Sequence, residues 1–91
     1  MKQVTLSDVR NTLYSMLRRA PLYLSDDQLL AADFWYDLDM DEQNILIMIV
    51  SLQRSLHIYL PSQVMDSLQK NNTVKTFLLA ANQWLEDLDE Q

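Results

Sequence analysis

Apolar residues recur at Leu6, Val9, Leu13, Met16 and Leu17, the spacing of one helical face, and the pattern stops before Pro21. Thr5 or Ser7 is positioned to cap this first helix, and Arg10, Arg18 and Arg19 lie off its apolar stripe. Residues 20 to 38 show no sustained period. Within them "SDDQLLA" suits a short helical turn capped by Ser25, and Leu22, Leu24, Leu29, Leu30, Phe34 and Trp35 are available to tack a long loop to the core. A second helix is predicted from Met40 to about Leu56, with Ile45, Met48, Ile49, Leu52 and Leu56 on one stripe. Ser62 offers a cap for a short third segment with Val64, Met65 and Leu68 as its apolar contacts. That segment ends at Asn71 and Asn72, where asparagine suits a left-handed C-cap. Thr73 opens a last helix in which Val74, Phe77, Leu78, Ala81, Leu85 and Leu88 keep the period. Its carboxylate-rich end, "EDLDEQ", opposes the helix dipole and is expected to fray. Nothing alternates as a strand would, so the expected fold is all-α, a small four-helix bundle with a long loop after helix 1 and a short helix 3.

The second helix carries more apolar residues than one stripe needs. Leu46, Ile47 and Val50 project to other faces, so its middle is greasy around most of its girth. Two accounts stand: neighbouring helices cover those faces, or another protein does.

Composition narrows the class. Ninety-one residues make one small domain, residues 1–91, and 48% hydrophobic against 22% charged is ordinary globular usage despite a net charge of −6. Cysteine is absent, which removes disulfides, thiolate metal sites and cysteine nucleophiles. Glycine is absent too, so Asn and Asp are expected wherever the backbone needs positive φ. Seven Lys and Arg against thirteen Asp and Glu argue against nucleic acid and favour a basic partner surface. No signal-peptide core or membrane-length apolar run occurs, and the expected location is cytoplasmic.

The candidate chemistry concentrates in "FWYDLDMDEQN", Phe34 to Asn44. Asp37, Asp39 and Asp41 match the first three ligand positions of a calcium loop, but its required glycine and final glutamate are Glu42 and Met48, so no metal is expected. Asp39 followed by Glu42 reads as a D-x-x-E capping box opening the second helix. The three aromatics are expected as a core anchor. His57, in "LHIYLP", has no motif around it and reads as structural; with no catalytic residues expected, enzymatic activity is not.

The same stretch resembles the acyl carrier protein family, as a divergent member. That family has an opening helix, a long loop, a second helix starting at D-S-L, a short third helix and a last one, and its serine carries phosphopantetheine. Its F-x-x-D-L-G-x-D-S-L corresponds to "FWYDLDMDEQ", with Phe34, Asp37, Leu38 and Asp41 in matching positions. A later family pattern like F-D-I-x-I-P corresponds to "LHIYLP", ending at Pro61, and Thr73 and Val74 resemble the opening of its last helix. The serine slot, however, holds Glu42, followed by Gln43, and Asp39 stands at the glycine. A carboxylate cannot form the phosphodiester, so no phosphopantetheine is expected there. A literal D-S-L at Asp66, Ser67 and Leu68 falls inside the short third segment, with too little chain after it for the family's remaining helices.

The resemblance implies a carrier-like domain without its cofactor that binds another protein, a lipid- or polyketide-synthesis enzyme being the implied class. Asp37, Asp41 and Glu42 would rim the docking end of the second helix, with Leu46, Ile47 and Val50 as anchors and Arg54 further along. Two alternatives stay open: an active carrier using Ser67 or noncovalent cargo, and a helical adaptor unrelated to carriers.

Overall fold

The computed structural model describes residues 2–17 and 23–89. Five helices occur there: α1 Leu6–Leu17, α2 Asp26–Ala31, α3 Glu42–Leu56, α4 Ser62–Ser67 and α5 Val74–Asp89. The class is all-α, as the periodicity predicts, with five helices in place of the expected four. The extra element is α2, the short turn read in "SDDQLLA". Ser25 and Gln28 close a reciprocal capping box that stabilises it despite its length. Arg18, Arg19 and Leu22 lie outside the described residues.

Each long helix buries the stripe its period marks. Val9 and Leu13 of α1, Ile45, Met48, Ile49 and Leu52 of α3, and Val74, Phe77, Leu78, Ala81 and Leu85 of α5 enter one core. Leu88 departs from the pattern and stands exposed at the end of α5. Helix α1 packs on α3, while α2 and α4 pack on α5. At the centre Phe34 meets Phe77 edge to face, with ring centroids 6.3 Å apart. Thr5 is the cap of α1: its hydroxyl accepts from Asp8 N–H, and the Asp8 carboxylate accepts from Thr5 N–H. Arg10 crosses from α1 to the Leu24 carbonyl and the Asp26 carboxylate, tying α1 to the start of α2. Val4 docks on α5 through Asn82, whose carboxamide accepts from Val4 N–H at 2.7 Å and donates to Val4 C=O at 2.8 Å.

Several local expectations are corrected. Helix α3 begins at Glu42, two residues after Met40, and its cap is Asp41 paired with Asn44, in place of Asp39 paired with Glu42. The reason is that Asp39 adopts φ 53, a left-handed bend that an N-cap does not use, while Met40 turns into the core. Ser62 is the first helical residue of α4, whose N-cap is Pro61 with no side-chain hydrogen bond. Among the described residues the positive-φ positions are Asp39 and His57, so Asn71 and Asn72 do not take the left-handed conformation expected of them. His57 closes α3 instead, where Lys2 Nζ donates to the Leu56 and His57 carbonyls and puts positive charge on the negative end of the helix dipole.

Candidate functional site

The site forms around the start of α3. The loop before it is held by its own polar groups: Asp33 Oδ1 accepts from the N–H of Trp35 and Tyr36, and Asp37 Oδ2 accepts from Asp33 N–H. Phe34 C=O accepts from Met40 N–H, which sets the return toward α3. Phe34 N–H donates to Asn72 C=O and Val74 N–H to Ala32 C=O, so this loop is stitched to the segment that precedes α5. The stitching decides which side chains face inward. Phe34, Leu38 and Met40 are buried, whereas Trp35 and Tyr36 are 54% and 87% exposed. The expectation of an aromatic core anchor therefore holds for Phe34 alone.

The expected partner-binding residues separate into groups. The Asp37 and Asp41 carboxylates serve the backbone, one inside the loop and one as the cap of α3. Glu42 occupies the first turn of α3, where negative charge suits the dipole, and its carboxylate has no ion-pair partner among the described residues. Leu46, Ile47 and Val50 are 48%, 46% and 41% exposed, so of the two accounts of these faces, covering by neighbouring helices is overturned. Positions 46, 47 and 50 adjoin on the helix surface, and 43 and 54 extend the same side by one turn each way. Arg54 is exposed in the last turn of α3, ~18 Å along the helix from Glu42, and does not join the acidic rim.

Beside Glu42 lies a groove of about 310 Å³ between the start of α3 and α4, with Ile45, Met65 and Leu68 along it and Trp35 and Asn72 in its walls. Trp35 and Glu42 also border a second, shallower concavity with Asp39 and Asp41. The carboxamide nitrogen and oxygen of Asn72 are buried without a hydrogen-bond partner among the described residues. An amide left so costs on the order of 1–3 kcal/mol. Met65, Leu68 and Asn72 were not anticipated as site residues, because they read as ordinary contacts and turn positions of a short segment. No sequence signal marked the groove, since Trp35 itself was expected in the core and stands 54% exposed.

Ser67, the alternative attachment residue, ends α4 half-buried, and its Oγ donates to the Gln63 carbonyl at 3.0 Å within the helix. Among the described residues no three His, Asp or Glu side chains converge as metal ligands, and no helix is long and apolar enough to cross a membrane. Comparisons with protein-family models, curated proteins and solved structures return no match for the chain.

Proposed function

We propose that the chain is a protein-binding module on an acyl-carrier-like helical fold, with Glu42 where a carrier keeps its attachment serine, acting by docking rather than by catalysis or a carried cofactor. One observation carries the reading: Leu46, Ile47 and Val50 stand together, nearly half exposed, on the outer side of a helix whose inner side is core. Covering the remaining area of three aliphatic side chains contributes on the order of a few kcal/mol to association. Glu42 in the first turn of that helix and Asp39 just before it, neither with an ion-pair partner among the described residues, favour a partner with basic residues around an apolar patch. The carrier resemblance points to an enzyme of lipid or polyketide synthesis as the partner class.

Two measurements test it. Incubation with coenzyme A and a permissive phosphopantetheinyl transferase is expected to leave the intact mass unchanged; a one-pantetheine adduct overturns the unloaded reading, and its position on Ser67 would restore the active-carrier alternative. Affinity capture with the wild type and with the Ile47→Asp/Val50→Asp double variant is expected to differ by about tenfold or more in the specifically retained protein. Leu79→Asp, an exposed leucine on α5, serves as the matched control and is expected to retain the partner. Equal retention by all three proteins removes the α3 surface from the reading.

A further inference from the structure

Asn82 and Asn72 frame a question about the groove. The Asn82 carboxamide grips both the N–H and the C=O of one residue, Val4, in an extended segment, and the Val4 side chain enters the core beside it. The Asn72 carboxamide carries the same donor and acceptor, covered and unpaired among the described residues, on a residue that lines a groove together with Ile45, Met65 and Leu68. A carboxamide is matched in full only by a group with one donor and one acceptor at peptide spacing. The groove volume of about 310 Å³ corresponds to roughly ten liquid waters, room for one large side chain and part of its backbone.

Charge selects among occupants with an amide edge. Glu42 lines the groove, and Asp39 and Asp41 line the adjoining concavity that shares Trp35 and Glu42 with it. A phosphate-bearing base would meet these carboxylates at close range, in a chain of net charge −6. A peptide with lysine or arginine beside its anchor residue meets them favourably, and a cation also has the exposed Trp35 ring to approach.

We propose that this groove receives an extended, basic segment of the partner protein. Asn72 Oδ1 accepts from the N–H of one partner residue and Nδ2 donates to that residue's C=O, its apolar side chain seats on Ile45, Met65 and Leu68, and its basic neighbours face Glu42 and Asp39. Both Asn72 atoms lie beneath the groove surface, so seating includes a side-chain rotation, an ordinary adjustment on binding. The inference deepens the protein-binding reading and rests on it.

The test uses an acetylated and amidated lysine-leucine-lysine tripeptide, titrated into the 15N-labelled full chain. The Asn72 side-chain amide and Trp35 indole cross-peaks are expected to move together and saturate. Methylating the leucine nitrogen removes one hydrogen bond and is expected to weaken binding about tenfold, and exchanging both lysines for glutamates at least as much. In Asn72→Ala the parent and N-methylated peptides are expected to bind equally, since the discriminating acceptor is gone. Unmoved Asn72 resonances, or equal binding of the two peptides to the wild type, overturn the proposal. Nicotinamide, a free ring with the same amide edge, overturns it by binding as tightly as the tripeptide. If the groove fails these tests while Ile47→Asp/Val50→Asp still loses its partner, protein binding stands and the groove alone is refuted. If the tripeptide binds as expected but capture ignores the α3 substitutions, the outer-face reading falls instead.

Discussion

Asn82 and Asn72 carry the same side chain close to the same helix, one within α5 and one just before it, yet one is saturated and the other is not. Asn82 closes two hydrogen bonds of 2.7 and 2.8 Å on Val4 and thereby fastens a terminal segment that no helix contains. Asn72 uses its backbone carbonyl to hold Phe34 N–H at 2.9 Å while its carboxamide stays buried and unpaired. The contrast separates a residue that assembles the fold from one whose polar edge the fold covers and leaves unpaired among the described residues. Stability favours the first arrangement, and the second persists beside a stretch where an exposed tryptophan, acidic side chains and an apolar groove adjoin.

Substitutions at the two positions sharpen or break that contrast. Asn82→Ala strands both polar groups of Val4, a buried residue, and is expected to lower the unfolding free energy by about 2–4 kcal/mol in urea denaturation. A loss under about 0.5 kcal/mol would mean that the terminal segment is held by something other than the carboxamide. Asn82→Asp keeps an acceptor for Val4 N–H but loses the donor to Val4 C=O. An intermediate loss of about 1–2 kcal/mol is expected, and equality with Asn82→Ala would show that the donor carries the whole effect. Asn72→Ala removes a carboxamide that bonds nothing while keeping the backbone carbonyl that Phe34 needs, so a change within about 0.5 kcal/mol of wild type, or a small gain, is expected. A loss comparable to that of Asn82→Ala would dissolve the contrast, because it would reveal an internal partner for the Asn72 amide.

Much of the helical framework was legible in the chain. The inward stripes of α1, α3 and α5 follow from apolar spacing, and Thr5, Ser25 and Thr73 announce helix starts because their hydroxyls reach backbone N–H groups a turn ahead. The start of α3 was ambiguous for a physical reason. Asp39 with Glu42 and Asp41 with Asn44 are two overlapping capping pairs, and the choice between them depends on the left-handed bend at Asp39 and on Met40 N–H reaching Phe34 C=O. Absence of glycine correctly forced other residues into positive φ, but a histidine at position 57 took one place expected of asparagine. At residues 71 and 72 the chain stays right-handed or extended, stitched instead to the loop at Phe34.

The candidate site was half legible. Asp41, Glu42, Leu46, Ile47 and Val50 were marked by acidic and apolar clustering in one continuous stretch, where helical geometry alone relates neighbours. Met65 and Leu68 are one helical turn apart, but Trp35 reaches them and Asn72 only through the fold, and no spacing rule connects it to them.

What the sequence determined by itself was local: which residues repeat at helical period, which hydroxyls and carboxylates can cap, and that an acidic chain without cysteine or glycine must build its turns from other residues. Those properties depend on neighbours within a turn or two, so they need no knowledge of the rest of the molecule. Tertiary structure alone decided that Leu46, Ile47 and Val50 remain uncovered, that Trp35 faces outward while Phe34 faces inward, and that the Asn72 carboxamide is covered without a partner among the described residues. Each depends on where α1, α4 and α5 come to rest against α3 and its loop, because burial and hydrogen-bond satisfaction are properties of the packed whole.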